Sequence, residues 1–268
     1  MCILHKDDDM KYISLWIRVT LQTTQVALAS RLGVTLFTVG KLLRFVFFMV
    51  FLSLITSKTK TLGGYTIWEV ILFFLTFNLI DIIAQFLWRE VYRFRSYIVS
   101  GSFDMVLTKP ISPLLRILFG GSDVLDLLTL VPLLLFMGYV STQINEITVL
   151  NIFLYILLVI NGLVIAMSFH IFVLALGVVT TEVDNAIWIF REITQLGRFP
   201  LNIYPKAVTF LFTFLLPIAA MISIPTQALL GILTVRGVII CICLSGIFLS
   251  LSLLSWREAL KRYASASS

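Results

Sequence analysis

Charged residues, cysteines and histidines are scarce in this chain of 268 residues. Only 13% of the residues are charged and 59% are apolar, whereas roughly a quarter of the residues in soluble domains are charged. The mean hydropathy is +1.03. This composition excludes an ordinary soluble domain and predicts an integral membrane protein. We expect one transmembrane domain over residues 1–268, because no linker or internal repeat divides the sequence.

The three cysteines and two histidines form no recognisable site. Cys241 and Cys243 are two residues apart on a predicted helix and therefore face different directions. We expect neither a disulfide framework nor a metal centre. His170 lies in a long apolar stretch without a nearby pair of carboxylates, so we interpret it as a packing or hydrogen-bonding residue.

A phosphate-binding loop is also missing from the sequence. Such a loop needs a glycine, four further residues and then Gly-Lys-Ser/Thr. The pair Gly40–Lys41 is followed by Leu42, and Thr35 stands where the first glycine belongs. We therefore expect no ATPase site of this kind, no cofactor in this chain and no catalytic residue.

The chain contains long, continuous apolar runs, which are typical of membrane-spanning helices and not of an alternating β-barrel. The predicted fold is all-α, with six transmembrane helices. The net charge of +6 is interpreted as the excess of Lys and Arg in cytoplasmic loops, not as a nucleic-acid-binding surface. Five of the predicted spans are Thr35–Ser57, Thr66–Trp88, Ser122–Val140, Thr148–Val179 and Gly237–Ser255.

A polar stripe precedes the first span. Polar side chains recur at three- and four-residue steps within Lys11–Arg31, while Trp16 and Ile17 lie mostly on the other side. This pattern predicts an amphipathic elbow helix over residues 11–31 that lies in the membrane interface. The alternative is that these residues are the polar start of the first span. The stripe consists of Lys11, Ser14, Arg18, Gln22 and Gln25.

Polar groups also occur inside the first two predicted spans. Asn78, Asp81 and Gln85 share one face of the second span. Because an ionised carboxylate facing lipid is costly, this face should contact protein or water. It either lines a transport path or forms helix–helix hydrogen bonds. Lys41 and Arg44 are expected to extend toward the cytoplasmic end of the first span.

The third and fourth spans contain residues that affect helix geometry. Ser122 is expected to cap the third span, with Asp123 and Asp126 in its first turns and Pro132 as a possible kink. The fourth apolar stretch is longer than one upright crossing requires. It must tilt, break near Asn161–Gly162 or continue beyond the membrane.

The position of the fifth span has two interpretations. Hydropathy places it at Ala207–Ile224. The pattern of the family that the sequence resembles, described below, instead implies a fifth span at about Thr181–Phe199, and Ala207–Gly231 then forms a re-entrant hairpin on the outer side, broken at Pro217 and Pro225. We prefer the alternative, because two prolines within one apolar run suit a buried re-entrant segment better than a straight helix.

The stretch Gly101–Pro113 is the longest ordered-looking interruption between spans. Ser102 is a candidate cap for a short helix. Asp104 would lie in its first turn, where the helix dipole favours an anion. Lys109 would fall in the last turn, and Pro110 would end the helix. An ordinary polar loop is the alternative interpretation.

Three stretches of the chain share the pattern of a known family. The first runs from Ile98 to Pro113, the second is Phe199–Gly231 and the third is Trp256–Tyr263. In these stretches the sequence resembles type-2 ABC transporter permeases, and a bacterial branch of that family with poorly defined substrates most of all. The shared residues of the first stretch are Ile98, Gly101, Phe103, Asp104, Leu107, Lys109, Pro110 and Pro113.

The resemblance implies the permease subunit of an ATP-driven exporter in the bacterial plasma membrane. Separate ATPase subunits would hold ATP and Mg, and a second permease chain, identical or homologous, would complete the path. Residues 89–121 would be the cytoplasmic coupling segment, contacting the ATPase through Gly101, Phe103, Asp104, Leu107, Lys109 and Pro110. From the residues alone, a secondary transporter with Asp81 as an ion-coupling carboxylate remains an alternative. The charge distribution predicts cytoplasmic termini and an outer loop at Ser141–Glu146.

Overall fold

The computed structural model describes residues 6–59, 61–144 and 147–263, which are almost entirely helical. The termini and part of the predicted outer loop, residues 145–146, lie outside the described residues. Short 3₁₀ segments occur at Arg89–Arg93, Gln195–Arg198 and Leu201–Ile203, and π-helical segments at Leu211–Leu215 and Ala219–Ser223. The described α-helices are α1 (Lys6–Ala29), α2 (Arg31–Thr59), α3 (Ile67–Trp88), α4 (Phe94–Val99), α5 (Ser102–Leu107), α6 (Pro113–Leu118), α7 (Val124–Leu127), α8 (Leu130–Thr142), α9 (Val149–Thr180), α10 (Val183–Thr194), α11 (Lys206–Phe210), α12 (Ile224–Leu229) and α13 (Val235–Lys261).

Within the described residues, five helical stretches are long and apolar enough to cross a membrane. The bent pair Lys206–Leu215 and Ala219–Leu229 makes a sixth if it counts as one span. The predicted all-α integral membrane fold is therefore confirmed. The five stretches are Arg31–Thr59, Ile67–Val99, Val124–Thr142, Val149–Thr180 and Val235–Lys261.

Helix α3 lies at the centre of the bundle. In its span, 72% of the most apolar window is buried inside the protein, against 6% for α2. Both helices are predominantly apolar, because lipid and a protein interior favour the same side chains. Only the packing therefore distinguishes the central helix from the peripheral one.

Helix α9 is continuous from Val149 to Thr180, so a break near residue 161 is excluded. Asn161 instead joins α9 to α13: its Nδ2 donates to Ser245 Oγ at 2.7 Å, and Cys241 Sγ donates to its Oδ1 at 3.0 Å. A Cβ at Gly162 would lie 2.6 Å from the Met221 carbonyl oxygen. Glycine at this position therefore permits the close approach of the bent pair to α9.

Residues 206–229 do not form a straight helix, because the two halves of the bent pair meet at 81°. The bend includes Pro217, so the segment Ala207–Ile224, where hydropathy predicts the fifth span, is not one straight helix. Pro225 lies at the start of α12 directly after the π-helical segment Ala219–Ser223. It causes no second break, because Ala219–Leu229 continues as one helical stretch through it.

The two ends of the bent pair lie at the same end of the bundle, next to the turn Leu62–Tyr65. On the incoming side, a Cβ at Gly63 would lie 2.9 Å from Cγ2 of Ile203. On the outgoing side, Gln227 Nε2 donates to Tyr65 Oη at 3.4 Å. These contacts favour the re-entrant interpretation. Under that interpretation α10 and the 3₁₀ segment Gln195–Arg198 would be the fifth crossing, but they are not among the described stretches that are long and apolar enough to span a membrane.

Helix α1 begins before the predicted elbow helix of residues 11–31 and ends at Ala29, and Ser30 separates it from α2. One side of α1 contacts the start of the third span. Trp16 Nε1 donates to Ser122 Oγ at 3.0 Å, and Thr23 Oγ1 donates to the Ser122 carbonyl oxygen at 3.2 Å. These bonds attach α1 to the bundle at the Ser122 end of the third span.

The cap of the third span differs from the prediction. The Ser122 hydroxyl accepts from Trp16, and Asp123 caps α7 by accepting from the Leu125 backbone N–H at 3.1 Å. Pro132 is the third residue of α8. Backbone N–H groups in the first turn of a helix have no intrahelical acceptor, so proline is tolerated there. The third span is interrupted just before Pro132, where α7 and α8 are separated by residues 128–129.

Candidate functional site

The stretch Gly101–Pro113, called the α5 segment below, contains the predicted short helix with different ends. Gly101 occupies the N-cap position with φ = +71°, a conformation that glycine adopts without strain. Ser102 is therefore the first helical residue and not the cap. Asp104 lies in the first turn, as predicted. The helix ends at Leu107, so Lys109 lies beyond the last turn.

The α5 segment has a buried side and an exposed side. Phe103 is fully buried and Val106 is 6% exposed. Leu107 is half-buried. The exposed side chains are Met105, Thr108, Lys109 and Pro110. Of the residues that the resemblance assigns to ATPase contact, only Lys109 and Pro110 are thus freely accessible.

An aromatic cluster holds the buried side of α5. The Phe103 ring meets those of Phe94 and Tyr263 edge-on, each at a centroid distance of 5.2 Å, and lies 6.4 Å from the ring of Trp256. Such pairs add about 0.5–1.5 kcal/mol each beyond simple burial. The cluster connects α5 with α4 and with the end of α13.

A hydrogen bond strengthens the connection between α5 and the end of α13. Tyr263 Oη donates to Asp104 Oδ1 at 2.8 Å. Burial and this bond to a carboxylate raise the pKa of Tyr263 to about 12. The sequence offered one signal for this anchor: Trp256 and Tyr263 are seven residues apart, and side chains at that spacing lie on one face of a helix.

A cavity of about 140 Å³, called the central cavity below, lies between α2, α3, α8 and the 3₁₀ segment Gln195–Arg198. Its wall combines phenylalanine rings with charged side chains. An intramembrane cavity of this composition can bind a ligand that has both an apolar part and a charge. The lining includes Lys41, Arg44, Phe45, Phe48, Phe74, Phe77, Asn78, Asp81 and Arg198.

A smaller cavity of about 30 Å³ lies on the other side of Asp81, against α9 and α10. The two cavities share one wall, so a group bound in the first can act on side chains of the second. The shared residues are Arg44, Phe77, Asp81 and Arg198. The smaller cavity adds Gln85, Tyr92, His170 and Arg191.

The predicted polar face of the second span divides between two roles. Asn78 lines the central cavity and donates from Nδ2 to the Phe74 carbonyl oxygen at 2.7 Å. Gln85 donates to Tyr92 Oη and accepts from Arg89 Nη1, both at 2.9 Å. Asp81 lines both cavities. No hydrogen bond or ion pair of its side chain is found within the described residues.

Arg198 is the residue that sequence reasoning missed. Its guanidinium carbon lies 4.7 Å from the Phe77 ring centroid and 5.5 Å from that of Phe48. Nε is buried and has no hydrogen-bond partner. Arg44 reaches the same wall, where its Nη2 donates to Gln195 Oε1 at 3.1 Å. An arginine next to a predicted span boundary was the only signal in the sequence.

Other charged side chains near the central cavity are paired. Lys41 bonds to Asp126, whose side chain is 2% exposed, so Lys41 does not simply extend toward water and Asp126 does not act as a cap. Arg89 Nε lies 3.6 Å from Asp123 Oδ2. These pairs fix α2 and α3 against the start of the third span.

His170 is buried in α9 and contacts the Trp88 ring at a centroid distance of 5.2 Å. Its Nδ1 lies 2.8 Å from the Ala166 carbonyl oxygen. Within residues 6–59, 61–144 and 147–263, no group of three His, Cys, Asp or Glu side chains could hold a metal ion. The contacts of His170 agree with a packing role.

The fold and the intramembrane cavity define an all-helical membrane transport protein. The family model described as ABC-2 family transporter protein matches residues 42–267. The chain therefore belongs to the ABC-2 transporter family, and the resemblance to type-2 ABC permeases is confirmed. The match favours the ABC interpretation over a secondary transporter. No curated protein matches the sequence.

Proposed function

We propose that the chain is the permease subunit of an ATP-driven exporter and that it couples to separate ATPase subunits. Membership of the ABC-2 family supports this proposal. The observation that carries it is the two-sided α5 segment. A short helix with one exposed side and one rigidly anchored side is suited to receive force from a partner and transmit it to the spans.

Force on Met105 and Lys109 would pass through Phe103 to the rings of Phe94 and Trp256. Trp256 lies on α13, and Phe94 lies at the end of the span that contains α3. The Asp104–Tyr263 hydrogen bond adds a second connection to α13. ATPase closure would therefore move α3 and α13 together, and the central cavity lies against α3. The ATPase subunits would bind ATP and Mg, while this chain provides the path.

The proposed topology places the α5 end of the bundle in the cytoplasm of a plasma membrane. Arg89, Arg93, Arg95, Lys109 and Arg116 lie in residues 89–121, as the positive-inside rule requires for a cytoplasmic segment. The termini would share that side, and the turn Leu62–Tyr65 with both ends of the bent pair would face outward. A second permease chain would complete the path.

Co-purification of the ATPase subunit with tagged permease tests the proposal. Met105 is 64% exposed on α5, and Met105→Asp should reduce the retained ATPase about tenfold without lowering permease abundance. Ile232, 55% exposed at the opposite end, provides the matched control Ile232→Asp. Full retention of the ATPase and full transport by Met105→Asp would contradict the coupling role.

Val106→Pro is a second, harsher variant at the same segment. It removes a backbone donor, which costs about 3 kcal/mol or more locally. Because Val106 is 6% exposed, it also disturbs the anchored side. We expect membrane insertion to survive and both ATPase docking and substrate-stimulated ATP hydrolysis to be lost.

A further inference from the structure

The charges around the central cavity and the smaller cavity are unbalanced. Arg44, Arg191 and Arg198 line these cavities, and Asp81 is the carboxylate that lines them. Lys41 is neutralised by Asp126. Three arginines and one aspartate thus line the two cavities, and the lining carries two more positive than negative charges.

The three arginines have no ion-pair partner within the described residues. Arg191 lies over the rings of Tyr92 and Trp188, at 5.8 and 5.5 Å from their centroids. Glu192 accepts from Gln195 Nε2 at 2.9 Å on the exposed side of α10 and lines neither cavity. Cations without an ion-pair partner are costly where they are shielded from water, so a cluster of them marks a site that receives negative charge.

Arg198 is prepared for an anion. The rings of Phe48 and Phe77 fix its guanidinium plane, and its Nε–H has no acceptor. A planar guanidinium recognises phosphate and carboxylate oxygens through paired N–H bonds. The same ring contacts disfavour a cationic ligand, because Arg198 already lies against the faces that would attract one.

One wall of the central cavity is apolar. Phe45, Phe48 and Phe74 line it, and Phe48 and Phe74 stack at a centroid distance of 4.2 Å. Arg44 is exposed at its edge, so the cavity is accessible from outside the protein. The site therefore offers an apolar wall and, next to it, an excess of positive charge.

We propose that the central cavity binds an amphipathic anion, with its phosphate or carboxylate group between Arg44 and Arg198 and its apolar part along the phenylalanines. As a transported substrate, this anion would deepen the proposed function and would depend on it. As a bound lipid headgroup, the anion would be independent of the proposed function. The negative charge of Asp81 repels the anion and lowers the affinity of the site.

Binding of octyl phosphate to the purified chain in a neutral detergent tests the site, with octyltrimethylammonium as the charge-reversed probe. Arg198→Gln should weaken octyl phosphate binding about tenfold or more, the change expected on losing one charge-assisted hydrogen bond. Arg44→Gln should weaken it as well, and its exposed side chain makes misfolding a poor explanation. The control Arg236→Gln removes the same charge from an exposed position outside both cavities.

For Asp81→Asn we expect the opposite change in affinity. Removing the opposing carboxylate should tighten octyl phosphate binding several-fold, which a damaged fold would not produce. Equal binding by the native chain, Arg198→Gln and Asp81→Asn would overturn the proposal. Preferential binding of octyltrimethylammonium would overturn it too.

The assembled transporter distinguishes the two sources of the anion. If octyl phosphate stimulates ATP hydrolysis and Arg198→Gln abolishes the stimulation, the anion is substrate. If it binds without stimulation, the site holds a lipid headgroup. Failure to assemble with an ATPase would contradict the proposed function, while the binding measurement on the isolated chain would still decide the anion site.

Discussion

In the α5 segment and in the central cavity, aromatic and charged side chains meet in different ways. At α5, Phe103 is enclosed by other rings and Asp104 accepts a hydrogen bond from Tyr263. In the cavity, Arg198 lies between two rings with an unpartnered Nε, and Asp81 faces it without a bond. The first arrangement completes its own contacts, whereas the second leaves charge for a ligand.

The difference separates stability from function. Satisfied contacts lower the free energy of the folded state, so removing them should destabilise the chain. Unsatisfied charges contribute little to stability or oppose it, so removing them should mainly change binding. The two regions can therefore be compared on one scale, the free energy of unfolding in detergent.

The largest expected effect is that of Phe103→Ala. Phe103 is fully buried, and truncating a buried phenylalanine costs about 3–5 kcal/mol through lost burial and the cavity left behind. Thermal or denaturant unfolding in detergent measures the loss. Phe210→Ala, at a ring that is 65% exposed, is the matched control and should stay near the native value. An unchanged stability of Phe103→Ala would remove the anchor from the coupling proposal.

Asp126→Asn should have an intermediate effect. Asp126 is 2% exposed and pairs with Lys41, which is 30% exposed. Breaking a fully buried pair costs about 3–5 kcal/mol, and partial exposure of Lys41 reduces our expectation to about 2 kcal/mol. Asp81→Asn removes a carboxylate that has no ion pair or hydrogen bond within the described residues, so it should cost less than Asp126→Asn. Equal losses in both variants would erase the distinction between the two carboxylates.

Tyr263→Phe should have the smallest effect of the three. It removes the hydroxyl that donates to Asp104 and keeps the ring contact with Phe103, so we expect a loss of about 1 kcal/mol. Tyr139→Phe removes a hydroxyl from a residue that is 53% exposed and should be neutral. ATPase retention by Tyr263→Phe, measured alongside stability, shows whether the hydrogen bond also carries force. Native stability would mean that the rings alone hold α5.

Sequence reasoning located the polar face of α3 but not its partners. Asn78, Asp81 and Gln85 recur at steps that place them on one side of a helix, and this much follows from periodicity. Arg44 and Arg198 are far apart in the chain, and both line the cavity that Asp81 faces. Nothing local to either arginine distinguishes it from a residue that reaches the membrane surface.

The orientation of α5 was likewise undetermined. Gly101, Asp104 and Pro110 predicted a short helix from local chemistry, and a helix is present. The ends of this helix differ from the predicted ones: Gly101, with its left-handed φ, takes the N-cap position, and the helix ends before Lys109. Which residues face a partner depends on the rings of Phe94, Trp256 and Tyr263, and these come from two other elements.

The sequence by itself determined that this protein lies in a lipid membrane. Continuous apolar runs need lipid, and their lengths predict which stretches span the membrane. The sequence also predicted a short helix between Gly101 and Pro110, whose end residues differ from the predicted ones. Only the tertiary structure decided which apolar helix is central, that residues 206–229 are bent, and which charges remain unpaired. The physical reason is that lipid and protein interiors select the same apolar side chains, so the pattern that identifies a span does not specify its neighbours.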